Sequence, residues 1–262
     1  LLRKHVLGRP PEIELSEDEY IGLENAHKTL SGALAIEEKY EILITNYLDF
    51  EKEMLTLSAE DMVRSDVDHA DFSDVRLHLN TRLVNLLTAA RLYVDQLSQN
   101  VRECVPNDDG AKEQVAKLFA KEYDEHMEYR FMEALRNYAQ HSGIPVQLAR
   151  QSITRTAVDG IDLLEFSMEP ASARSYLAQD HQFKKTVLDE MDEYVGLKMA
   201  TRRYIESISN VQDSARSMIA RSVANTRQLI EDSRRRYAEV NKGDLVTISK
   251  QCLWPITIRR SQ

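Results

Sequence analysis

The chain predicts a mainly α protein, a helical bundle with long helices and a small β appendage, and three observations lead there. Only 8 Gly and 6 Pro occur in 262 residues, so residues that break helices are scarce. Long stretches carry apolar residues at the three- and four-residue spacing of amphipathic helices, whereas two short segments alternate apolar and polar in the manner of strands. A composition of 42% hydrophobic and 29% charged residues is that of a globular chain able to bury a sizeable core, and it excludes a disordered or fibrous one.

Leu15-Ser16-Glu17-Asp18-Glu19 has the form of a capping box, Ser with Glu three residues later, and opens a first helix running toward residue 30. A second helical stretch covers about residues 35 to 63. Asp71, Ser73 or Asp74 caps the next, in which Val75, Leu79, Leu83, Leu86, Ala90, Val94, Leu97 and Val101 form the stripe of a helix packed inside a bundle. Pro106-Asn107-Asp108-Asp109-Gly110 is the clearest turn. The following helix runs from about residue 111 until Ser142-Gly143, with Pro145 just beyond. Strand-like patterns then occupy residues 152–158 and 161–168, and recur near the end at 245–248 and 256–258. Between them, residues 180–240 are nearly unbroken helix formers, with Gly196 the only glycine and no proline. Either one very long helix or a hairpin turning near Ser209-Asn210 satisfies that pattern. The linear segmentation is therefore an N-terminal helical arm (1–34), a bundle core (35–145), a strand-containing insertion (146–179), a long helix or helical hairpin (180–242) and a terminal strand segment (243–262).

No apolar run approaches the roughly 18 to 20 residues that span a bilayer, and residues 1–10 lack the apolar stretch of a signal peptide, so the expected compartment is the cytoplasm with no membrane partner. Cys104 and Cys252 have no CxxC spacing and no His nearby, which supports neither a disulfide framework nor a zinc site. His126 lies among Glu122, Asp124, Glu125 and Glu128, but Glu-x-x-His occurs only once, away from it at Glu24-Asn25-Ala26-His27, where a di-iron bundle uses it twice, and His-Glu-x-x-His is absent, so no metal is expected. Fingerprints of nucleotide binding and a nucleophile elbow are absent too, and no cofactor is called for. The net charge of -9 opposes a nucleic-acid partner on average, yet it is unevenly spread. Residues 1–130 hold 15 Lys and Arg against 27 Asp and Glu, whereas residues 131–262 hold 19 against 16. The second half is thus the one that tolerates a polyanion.

That half opens on the segment Arg136-Asn137-Tyr138-Ala139-Gln140-His141, which sets a permanent cation beside a titratable imidazole near the end of a helix. On an ideal helix the two side chains lie about 140° apart in rotation and about 7.5 Å apart along the axis. They meet if the helix loosens at its end, where Gly143 sits, or if a twofold partner supplies the second pair. The segment resembles the signature of the HEPN superfamily, an Arg followed after four to six residues by His, often with Asn, Asp or His directly after the Arg, as Asn137 is here. The resemblance spans at most residues 35–142 and part of the helices after 180, and leaves the strands and the tail outside it.

The resemblance implies a metal-independent endoribonuclease, homodimeric, acting in a toxin or anti-phage role, with Arg136, His141 and Asn137 as catalytic residues. RNA carries its own nucleophile, so the residue types suit the task. An imidazole, whose reference pKa is near 6.5, transfers protons at neutral pH. A guanidinium holds the scissile phosphate with two donors and stabilises its growing charge. Asn137 would orient His141 or a phosphate oxygen. The competing reading is a non-catalytic helical interaction protein that dimerises or holds an antitoxin or nucleotidyltransferase partner, with Arg136 paired structurally to Glu133. In an enzyme both side chains open onto a positively charged cleft, and in a scaffold they are buried or paired to that glutamate. Asn80, Arg82, Asn85, Arg91 and Asp95 point either into such a cleft or into ordinary hydrogen bonds, and Arg234-Arg235-Arg236 either tracks phosphates or solvates a helix.

Overall fold

The computed structural model describes residues 2–4, 12–63, 69–159, 161–240 and 256–258 and is mainly α. In order the elements are β1 (Leu2–Lys4), β2 (Glu12–Ile13), α1 (Glu17–Val63), α2 (His69–Cys104), α3 (Ala111–Glu125), α4 (Met127–His141), β3 (Leu148–Val158), β4 (Ile161–Ala173), α5 (Arg174–Leu177), α6 (Lys185–Glu190), β5 (Tyr194–Gly196), α7 (Leu197–Val240) and β6 (Ile256–Ile258). Two compact units divide the chain, one of residues 1–36, 99–112 and 215–262, the other of 37–98 and 113–214. Each takes pieces distant in sequence, unlike the five consecutive segments of the linear segmentation.

The first unit holds an antiparallel sheet in the order β2-β1-β6. Leu2, Ile13, Leu23 and Tyr237 are buried together, with Leu15 and Ile230 packed against them. The capping box forms as the sequence indicates: the Glu19 backbone N–H donates to Ser16 Oγ at 3.2 Å, and the Ser16 N–H donates to Glu19 Oε2 at 2.8 Å. Where a break near residues 30–35 was expected, α1 runs unbroken for 47 residues. The physical reason lies at Gly32, whose missing side chain admits the neighbouring helix. A Cβ there would stand 3.1 Å from the Asn100 carbonyl oxygen and 3.1 Å from Cys104 Sγ, so close packing offsets the helix cost of glycine.

In the second unit Leu43, Phe50, Leu79, Leu83, Leu86, Tyr93, Phe131, Leu135 and Tyr204 are buried to within 1% of full enclosure. Each such side chain contributes about 1.5–3 kcal/mol of transfer free energy. The strand patterns form a long hairpin, β3 paired to β4 from Leu148↔Ala171 to Val158↔Ile161, with Asp159 at a φ of 52° in its turn. Aspartate is one of the few residues that tolerates that left-handed conformation.

Several sequence expectations need correction. The helix expected over residues 111–143 is two, separated at His126, which is extended (φ -121°, ψ 115°). Neither Gly nor Pro marks the break. Its unpaired carbonyls are taken by Arg130, whose Nη1 donates to the Tyr123 oxygen at 2.8 Å and the Asp124 oxygen at 2.9 Å. The stretch from residue 180 becomes helical for good only at Leu197, because residues 194–196 pair with β4 at Ala171, Ser172 and Ala173. From there α7 is one helix of 44 residues, with no turn at Ser209-Asn210. The α2 helix begins at His69, before the three proposed caps. The strand pattern at 245–248 lies outside the described residues, and that at 256–258 forms β6. Among the described residues no helix is long and apolar enough to cross a membrane.

Candidate functional site

The motif Arg136-Asn137-Tyr138-Ala139-Gln140-His141 is the last part of α4, and that helix is held at both ends. Its apolar face buries Tyr129, Phe131, Met132, Ala134 and Leu135. At its start Arg130 bridges the break to α3 and donates through Nη2 to Glu190 Oε2 at 2.6 Å. At its end the N–H groups of Ser142 and Gly143 both donate to the Tyr138 carbonyl, at 2.8 and 3.1 Å. Tyr138 closes on Gly143: a Cβ there would lie 2.5 Å from the Tyr138 hydroxyl, so a side chain at this position would displace that ring. Just beyond, buried Asn80 on α2 clamps Val146: its Oδ1 accepts the Val146 N–H at 2.8 Å and its Nδ2 donates to the Val146 oxygen at 3.0 Å. The Ser172 hydroxyl donates to the Pro145 carbonyl at 2.6 Å. The helix therefore stays regular through His141, and the loosening that would bring Arg136 to His141 does not occur.

The two residues occupy different surroundings. Arg136, its side chain 12% exposed, places Nη2 3.6 Å from Glu133 Oε2 and donates through Nη1 to Gln140 Oε1 at 3.2 Å, while its Nε is buried without a hydrogen-bond partner. Glu133 also accepts a 2.6 Å bond from the hydroxyl of Tyr204, a fully buried residue of α7. Burial, followed by the nearby Glu133 carboxylate, pushes that phenol well above its ordinary range, so it stays protonated and acts as a donor. His141 and Asn137, by contrast, are exposed.

Both line a cleft of about 380 Å³. Glu133, Asn137 and His141 succeed one another at four-residue steps along one stripe of α4, and Asp180, Phe183 and Lys184 lie on the other side. Tyr138 and Phe183 meet there edge to face with ring centroids 6.1 Å apart. The Ser142 hydroxyl, then the Gln182 N–H, hold the Asp180 carboxyl below its usual range. Lys184 bonds the Tyr123 hydroxyl and sits over that ring, 4.6 Å from its centroid. Arg130 and Lys184 balance Glu133 and Asp180 in formal charge. Arg136 is not among the lining residues. The sequence could suggest His141 and Asn137 by spacing, but it carried no sign of Tyr204, Asp180 or Lys184, which reach this neighbourhood from segments distant along the chain.

The other polar candidates are engaged locally. Arg82 Nε donates to Glu53 at 2.9 Å, Arg91 pairs with Asp95 at 2.6 Å, and Asn85 is exposed. His126 Nε2 stands 3.4 Å from Glu122. Among the described residues no group of three or more His, Cys, Asp or Glu is placed to hold a metal. Arg234 and Arg235 pair with Glu231 and Asp232 one turn earlier, and Arg236 pairs with Glu19. Burial pushes the Cys104 thiol up to about 12, which leaves it protonated and unreactive, while Cys252 lies outside the described residues. No protein-family model, curated protein or solved structure matches the chain.

Proposed function

We propose that this chain is a HEPN-type, metal-independent endoribonuclease that works as a homodimer in a toxin or anti-phage role in the cytoplasm. The observation that carries it is the exposure of His141 and Asn137 side by side on one cleft, at the end of a helix held firmly in place. In the reaction a base takes the 2′-OH proton, and the freed oxygen attacks the adjacent phosphorus. The bond from phosphorus to the 5′ oxygen breaks, and that oxygen takes up a proton, leaving a 2′,3′-cyclic phosphate and a 5′-OH. His141 moves the proton, Asn137 orients the imidazole or a phosphate oxygen, and Arg136 stabilises the charge on phosphorus. With the helix regular, an Arg136 and a His141 that meet come from different copies, so activity requires the dimer.

A second reading has its own support, because Arg136 is nearly buried and sits beside Glu133. In it the protein is a non-catalytic helical partner, of an antitoxin or a nucleotidyltransferase, and the arginine is structural.

Cleavage of total RNA in EDTA, with folding and oligomeric state checked for each protein, separates the two. The ribonuclease is expected to cleave, and His141→Ala to lose about 10²- to 10⁴-fold in rate, the usual worth of a proton-transfer group. Arg136→Ala is expected to lose about 10²- to 10³-fold. Absence of cleavage by a well-folded wild-type dimer favours the interaction protein.

A further inference from the structure

Three side chains from two helices form a chain of contacts that ends at Arg136. The Tyr204 hydroxyl donates to Glu133 Oε1 at 2.6 Å, and the other oxygen of that carboxylate stands 3.6 Å from Arg136 Nη2. Tyr204 is 0% exposed, and its ring leans on Tyr129 with centroids 5.1 Å apart, so its hydroxyl has little freedom to move. A carboxylate that accepts a short bond from an immobile donor loses rotamer freedom itself. Glu133 thus offers Arg136 a fixed counter-charge beside Nη2. Gln140 takes one Nη1 proton, and Nε stays buried with no hydrogen-bond partner. A guanidinium presents five N–H donors in a rigid fork, so a fixed counter-charge beside Nη2 and an acceptor at Nη1 together set the plane of this one.

We propose that Tyr204, acting through Glu133, is the positioning residue for Arg136, fixing the orientation in which its guanidinium is held. The proposal rests on the ribonuclease reading for what Arg136 does, but not for how it is held. Nothing in the sequence marks Tyr204, which lies 68 residues beyond Arg136 on a helix with no other claim on the motif. Tyr204 is not a catalytic residue here, because it acts on the arginine through Glu133 and does not itself line the cleft.

Two measurements on the full chain test it. In the first, the side-chain Nε–Hε resonance of Arg136, assigned by its disappearance in Arg136→Lys, is followed by NMR in wild type, Tyr204→Phe and Glu133→Gln. Positioning predicts one sharp, slowly exchanging signal in wild type that broadens or averages in both variants. Tyr204→Phe keeps the ring and its packing on Tyr129, so its fold is expected to survive. An unchanged Arg136 signal in folded Tyr204→Phe overturns the proposal. In the second, cleavage kinetics are expected to show kcat reduced about tenfold to a hundredfold in either variant with KM little changed, and no further loss in the double variant, since both break one chain of contacts. A lower melting temperature with unaltered kcat would mark Tyr204 as merely structural and also overturn it. An NMR result as expected with no cleavage by wild type leaves the positioning intact and sinks the ribonuclease reading instead.

Discussion

At the scale of single residues, a polar group inside a helical core matters through the partners it would strand. Asn80 is 5% exposed and meets both polar groups of the Val146 backbone. Asn80→Ala leaves a buried N–H and a buried carbonyl unsatisfied. It is expected to lower stability by about 2–4 kcal/mol, read as a drop in the urea midpoint at unchanged slope. The sequence showed Asn80 as a polar residue on an otherwise apolar stripe, which flags it without telling cleft from clamp. That distinction depends on Val146, 66 residues away. His141 and Asn137 were named from a family resemblance, and their four-residue step puts them on one face of any helix. The surroundings of Arg136 were only half legible. Glu133, three residues before it, follows from helical spacing, whereas Tyr204 arrives from α7 through tertiary packing.

At the scale of elements, the long helices were easier to read than their interruptions. The capping box at Ser16 and the turn at Pro106-Asn107-Asp108-Asp109-Gly110 are local chemistry, and both occur where the residues place them. The break at His126 has no local signal. It is stabilised by Arg130 reaching back to two carbonyls and across to Glu190, a combination that exists only once α3, α4 and α6 are packed. For α7 the periodicity allowed a helix or a hairpin, and the continuous helix is checkable by substitution. Asn210 is exposed in mid-helix, so Asn210→Pro is expected to cost about 3 kcal/mol or more by removing a backbone hydrogen bond and clashing with the preceding turn. Thermal unfolding of that variant unchanged from wild type would contradict a continuous α7.

At the scale of the whole molecule, acidity is the chain's main electrostatic character, with a net charge of -9. A few carboxylates are nevertheless stabilised in their charged form. Arg202, hydrogen-bonded to Glu51 at 2.8 Å from both Nε and Nη2, and then Tyr47 hold the Glu51 carboxyl below its usual range. Burial works against ionisation at Glu53, but bonds from Arg82 and His78 outweigh it and bring that carboxyl down too. A carboxyl depressed in the folded state binds protons more weakly there than in the unfolded chain. Its contribution is therefore complete above the unfolded value of about 4.3 and is lost as pH falls through the lower folded value. Stability is expected to be flat near neutrality and to decline below about pH 4.3, and in Arg202→Gln to decline less steeply, because Glu51 no longer has its main partner. Melting temperatures of both proteins from pH 7 to pH 3 check the sign. A wild-type melting temperature that rises on acidification would contradict it.

The sequence by itself determined the helical class, the capping box and the strand segments at 152–158 and 161–168, because each follows from periodicity or from contacts within four residues. Only the tertiary structure decided that α1 and α7 are continuous, that α3 and α4 part at His126, and that Arg136 turns to Glu133 and Tyr204 and not into the cleft. These outcomes depend on groups that meet across long sequence separations. Their energies of burial and hydrogen bonding exceed the local preferences that a linear pattern records.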